Sequence, residues 1–144
     1  MTESATSKGP DAQARVHIIE TSDLKPVEYE WGAIKWICDK QVTPNSLQSF
    51  GYAYLLPGAI NPEHRHMTCE EIIYMVAGEL SVYANDTKIV VRPGQTALIP
   101  PEVRHKVANE GWEPVVYIAS FSAAYRDTIF KGQTGRLDEV ENLY

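Results

Sequence analysis

Three of the four histidines in this 144-residue chain fall between Gly58 and Asn109, close to carboxylates and bounded by turn residues. His64 and His66 are two apart, Glu71 follows in the same stretch, and His105 arrives from a separate segment. On an extended chain residues two apart point to one face, so both imidazoles can serve one centre. Imidazole nitrogen and carboxylate oxygen are the usual donors for first-row divalent metals. Three neutral imidazoles and one carboxylate around a divalent ion leave a net charge of about +1 and one or two open coordination positions. An open position is what catalysis needs, whereas structural zinc closes its sphere with four ligands and favours cysteine. Cys69 sits among these residues without a partnering Cys motif, and reads as a small buried hydrophobe.

Residues so spaced meet only if the chain closes on itself as a β fold. Trp31 to Asp39 alternates with a period of two, placing Gly32, Ile34, Trp36 and Cys38 on one face and Ala33, Lys35, Ile37 and Asp39 on the other. Trp36 is expected to face inward. Gln48 to Leu56 is a second strand, with Phe50, Tyr52, Tyr54 and Leu56 on one face and Ser49, Gly51 and Ala53 on the other. That aromatic stripe is expected to fill a core or form a subunit contact. Val16 to Ile19 is expected to form a short first strand, with His17 at the surface. Glu71 to Val76, Glu79 to Ala84, Thr87 to Arg92, Thr96 to Ile99, His105 to Ala108 and Val115 to Phe121 complete the set. Breaks at Gly78, Asn85-Asp86, Pro93-Gly94 and Pro100-Pro101 punctuate them, and Asn85-Asp86 is a two-residue hairpin signal. Short strands so regularly interrupted indicate an all-β sandwich or barrel.

The length suits one domain with a real core. Residues 1–14 are polar and read as a flexible N-terminal tail, 15–124 as the single β-barrel domain, and 125–144 as a C-terminal extension with a weakly helical end. An apolar fraction of 44% and a charged fraction of 22% are ordinary for a globular protein. The net charge of −6, without any Lys/Arg cluster, argues against a nucleic-acid partner. No apolar run approaches a membrane span and no signal-like start is present, so a cytoplasmic location and no membrane partner are expected.

The two histidine segments resemble the paired motifs of the cupin superfamily, G-x5-H-x-H-x3–4-E-x6-G and G-x5-P-x-G-x2-H-x3-N. Gly58, His64, His66, Glu71 and Gly78 match the first motif at every specified position. Gly94, Pro100, His105 and Asn109 match the second, with Glu102 standing where the family has glycine. The resemblance implies a cupin β-barrel, a double-stranded β-helix of jelly-roll type, with His64, His66, Glu71 and His105 as metal ligands. Glu70 is the competitor to Glu71. It would need seven residues before Gly78 rather than six, and strand neighbours face opposite sides, so only one of the pair can reach the metal. An inward Glu71 also places Ile73 and Met75 inward, giving an apolar pocket floor. Arg65 and Arg104 flank ligands and should face outward.

Family resemblance says little about the reaction, because one fold hosts many functions. The expected cofactor is one divalent transition metal per subunit, Fe, Zn, Mn or Ni. The expected activity is that of a metalloenzyme acting on a small keto, enol or sugar-acid metabolite. Zinc, nickel or manganese would suit lyase, isomerase or cyclase chemistry, and Fe(II) a dioxygenase. A non-catalytic metal-dependent binding module is the alternative of a different class. Glu102, Tyr52, Tyr54 and Tyr117 are the candidate acid–base groups, and a homodimer is the expected assembly.

Overall fold

Alternating side chains and frequent turn residues produce eleven short strands among the described residues. The computed structural model describes residues 16–131. Its strands are β1 (Val27–Tyr29), β2 (Gly32–Cys38), β3 (Ser49–Leu55), β4 (Ile60–Arg65), β5 (Glu71–Ala77) and β6 (Leu80–Ala84). They continue with β7 (Thr87–Val91), β8 (Thr96–Ile99), β9 (His105–Ala108), β10 (Val115–Phe121) and β11 (Ile129–Phe130). One antiparallel sheet runs β1-β2-β3-β10-β5-β8 and the other β11-β4-β9-β6-β7. The two sheets face each other as a jelly-roll sandwich. A single 3-10 turn, Thr21–Asp23, is the one helical element among the described residues.

Alternation sets the core. In β5 every second residue from Glu71 to Met75 is buried, and in β10 Val115, Tyr117, Ala119 and Phe121 are buried in the same manner. These meet Leu80, Val82 and Val107 from the opposite sheet in one apolar cluster. The β6–β7 hairpin turns at Asn85 and Asp86, whose φ angles of 49° and 61° are those a type I′ turn requires.

Three expectations need correction. Val16 to Ile19 forms no strand, and Val16 and Ile18 lie in solvent. Of the two roles expected for the aromatic stripe of β3, filling the core is the one overturned: Tyr52 and Tyr54 are exposed, while Ser49, Gly51, Ala53 and Leu55 are buried. The reason lies across the ladder. Trp36 pairs with Gly51, and a Cβ on Gly51 would stand 2.9 Å from both the Trp36 ring and Ile34. The inward Trp36 indole therefore needs the small face of β3, and alternation sends the tyrosines out. Finally, the fold continues past residue 124. β11 pairs with β4 through Ile129–Arg65 and Phe130–His64, and Arg126, Asp127, Thr128 and Ile129 are all buried. The tail expected at 1–14 and the weakly helical end expected over 137–144 both lie outside the described residues.

Candidate metal centre

The fold brings together His64, His66, Glu71 and His105, all buried, with their ligand atoms within 4.8 Å of one another. His64 near the end of β4 pairs directly with His105 at the start of β9, which sets their rings 4.4 Å apart. His66 follows β4, and its ring lies 5.0 Å from His64 and 5.6 Å from His105. Glu71 opens β5 in the opposite sheet, so the cluster joins the two sheets. Glu70 is exposed, as the alternation argument requires.

Each imidazole is aimed by a backbone carbonyl. His64 Nδ1 pairs with Pro62 O at 2.7 Å, His66 Nδ1 with Asp127 O at 2.6 Å, and His105 Nδ1 with Val103 O at 2.9 Å. A carbonyl only accepts, so each Nδ1 carries the proton and each Nε2 is left with a lone pair in the neutral ring. His105 Nε2 lies 3.0 Å and His66 Nε2 3.3 Å from Glu71 Oε2. His66 Nε2 is buried without a hydrogen-bond partner, an orphan of the kind a bound cation satisfies. Ligands about 2.1 Å from a shared ion lie roughly 3 Å apart when adjacent, so these separations fit a divalent metal.

The electrostatics act unevenly on the cluster, keeping His64 neutral and favouring a proton on His105. Burial pushes His64 down to about 3, assisted by His105 and His66, so its ring is neutral at physiological pH. For Glu71 burial acts to raise the pKa, but the neighbouring His105 and His66 imidazoles outweigh it and hold the carboxyl below its usual range. Burial likewise opposes charge on His105, yet the adjacent Glu71 carboxylate prevails and raises its pKa. Burial and then the Glu71 charge raise the Tyr117 phenol far above its ordinary value, so it keeps its proton.

The cluster opens into an interior cavity of about 120 Å³. Tyr29, Trp31, Trp36, Tyr117, Phe121 and Phe130 give it aromatic walls, and Arg126 also lines it. Of the candidate acid–base groups, Tyr117 alone is in that wall. Tyr52 and Tyr54 are displaced to a surface groove on the other side of the sheet, with Thr21, Glu28 and Lys35. Glu102 is exposed, with φ +70°, and its N–H donates to His66 O at 2.7 Å. It keeps the turn that glycine would make and directs its carboxylate into solvent. Asn109, the last residue of the second motif, is structural: its amide donates to Leu55 O and Glu113 O and accepts from Gly111 N–H.

Two site residues lie outside both motifs. Asp127 accepts from Met67 N at 2.7 Å, Thr68 N at 3.0 Å and Thr68 Oγ1 at 2.6 Å, clamping the turn between the histidine pair and Glu71. Arg126 stacks on Trp36, with its guanidinium carbon 3.2 Å from the ring centroid. Both follow the last strand recognisable by alternation, and no local pattern ties them to the histidines.

Residues 51–121 match the model of the cupin domain. Protein SchB of Streptomyces halstedii is 32% identical over 101 residues, covering 70% of this chain and 72% of that protein. The chain belongs to the cupin family. The cupin is also 29% identical over 100 residues to polyketide synthase CurC of Streptomyces cyaneus, covering 69% of this chain and 64% of that protein. In fold it is similar to the oxalate decarboxylase of Lactobacillus farciminis, with a TM-score of 0.71 and 24% identity over 86% of this chain and 41% of that one.

Proposed function

We propose that this cupin is a metalloenzyme that acts on a small keto or enol compound by lyase, isomerase or cyclase chemistry. One divalent transition metal would be held by His64, His66, Glu71 and His105. The observation that carries this reading is the aim of the three imidazoles, whose Nδ1 atoms are committed to carbonyls while their Nε2 atoms converge on the Glu71 carboxylate. Such an ion supplies Lewis acidity, polarising a substrate carbonyl and stabilising the negative charge left when a neighbouring proton departs.

The remaining work belongs to the chain. Glu71 offsets one unit of the metal's charge and leaves the centre electropositive. Aromatic walls keep water away, which strengthens each polar contact inside. Tyr117 holds its proton and serves as a hydrogen-bond donor at the wall rather than a base. An apolar cavity of ~150 Å³ accommodates benzene, so the space of about 120 Å³ here suits a compact molecule or the reactive end of a longer one. Two relatives carry polyketide synthase names, CurC and TcmJ, which supports the keto and enol branch.

The test is elemental analysis of protein purified without added metal. Zinc, nickel or manganese near one per chain supports the proposal and directs assays to keto compounds under anaerobic conditions. Iron would move the reading to dioxygen chemistry. Absence of metal uptake, or uptake that His64→Ala leaves unchanged, removes it.

A further inference from the structure

Alternation gives the six-stranded sheet a second, outward face, and its composition is not that of a solvated surface. The outward residues of β3, β10 and β5 meet in rows across the ladder. Tyr52 stands opposite Ile118, and Ile118 opposite Tyr74. In the next row Phe50 and Ile72 flank Ser120, with Leu98 of β8 beyond Ile72. Tyr54 stands opposite Val116 in the row on the other side. No charged side chain interrupts these three strands on the outside. Glu28 and Lys35, opposite in sign, border the face at its β1–β2 side. The outer face of the five-stranded sheet is different. There Lys88 and Lys106 both stand over the Tyr83 ring, and Lys88 is paired with Glu110.

We propose that this outer face is a homodimer interface, on which a second copy of the chain packs sheet to sheet about a twofold axis. Area, charge and symmetry carry the argument. Tyr52, Tyr54, Tyr74, Ile72 and Val76 are each about two-fifths exposed, and Leu98 is 58% exposed. Together they leave on the order of 600 Å² of side chain in solvent, the upper end of what a monomer carries and most of the roughly 800 Å² per partner of a standard interface. Three tyrosines supply rigid apolar area with a polar tip, the composition of an interface core. The chain has a net charge of −6, so two copies repel where their charged surfaces meet. In a twofold contact the same patch lies on both sides, and a charge at its centre would face its own copy. An uncharged centre removes that cost for a second copy, whereas a strongly basic or acidic partner would gain nothing from it. The contact is face to face and requires no pairing by the edge strands β7 and β8.

Sedimentation velocity on the full-length chain, across a concentration series, gives both the mass and the dissociation constant. The wild type is expected at twice the chain mass of 16.1 kDa. Tyr74→Glu sets a carboxylate on each side of the contact and should weaken association by roughly 30- to 1000-fold, the effect of a hot-spot residue counted once or twice. Tyr52→Glu should act in the same direction. Ile89→Glu, exposed on edge strand β7 of the other sheet, should change nothing. Raising the ionic strength should not weaken the dimer, because salt screens the repulsion between two acidic copies and finds no ion pair at the centre to break. Far-UV circular dichroism checks that each variant is folded. Should both tyrosine variants fail to fold, tyrosine labelling of the wild type above and below its dissociation constant supplies the test, with Tyr52 and Tyr74 protected in the dimer alone. A wild type that is monomeric at every concentration overturns the proposal and leaves the face to a different partner. A dimer that folded Tyr74→Glu and Tyr52→Glu leave intact, that Ile89→Glu disrupts, or whose tyrosines label equally in both states has its interface elsewhere, and overturns it too.

Discussion

Replacing Asp127 by alanine removes a carboxylate that holds two backbone N–H groups and one hydroxyl, all within 3.0 Å. Buried hydrogen bonds to a charged group contribute about 1.5–3 kcal/mol each. Thr68 is exposed, so water partly replaces what is lost there, and a total near 3 kcal/mol is expected. With a urea m-value of roughly 2 kcal/mol/M, the midpoint should fall by about 1.5 M. Asp127→Asn keeps one acceptor oxygen and should recover part of the loss. The effect also depends on pH. Burial acts to raise the Asp127 pKa, but bonds from Thr68 and Met67 prevail and hold it below its ordinary value. The contribution is therefore complete above about pH 4, the unfolded value, and is lost as pH falls through the folded one. Wild type and Asp127→Ala should converge in acid. Because the Asp127 carbonyl orients His66, loosening this turn should also weaken metal uptake by roughly 10- to 100-fold. Urea titrations at pH 7 and at acid pH, with competitive metal titration, give both readouts. An alanine variant with a wild-type midpoint at pH 7 would refute the clamp.

Glu102→Gly should raise stability by about 0.5–1 kcal/mol, since a non-glycine residue at φ +70° is strained and glycine relieves this at some entropic cost. Thermal melts would show the midpoint rising, and a fall would mean the Glu102 side chain contributes something its exposure does not suggest. Gly32→Ala should be severely destabilising, about 3 kcal/mol or more, because its Cβ would stand 2.0 Å from Tyr54 O, a backbone atom with no room to yield. A well-folded variant by circular dichroism would refute that. Cys69 is 2% exposed and its thiol is pushed up to about 12 by burial and then by the Asp127 and Glu71 charges. Thiolate is the reactive form, so at pH 8 a disulfide reagent should leave Cys69 unmodified in the native protein and label it in denaturant.

The cluster of His64, His66, Glu71 and His105 was legible through the resemblance to the two cupin motifs, while period-two geometry by itself spoke only for the pair His64 and His66 and for Glu71 over Glu70. The strand positions from Glu71 to Phe121 were legible because turn residues mark their ends. The choice between Glu70 and Glu71 followed from the six-residue spacing to Gly78 together with alternation.

What the tertiary structure decided is which face of each element the rest of the molecule demands. β3 carries an aromatic face and a small face, and either satisfies alternation. The Trp36 indole opposite Gly51 selects the small one for the interior and expels Tyr52 and Tyr54. Arg126 and Asp127 sit in a polar stretch after the last patterned strand, and they reach the site only because β11 pairs back onto β4 beside His64. That contact spans about sixty residues of sequence, so its cause is long-range packing, which no local periodicity encodes.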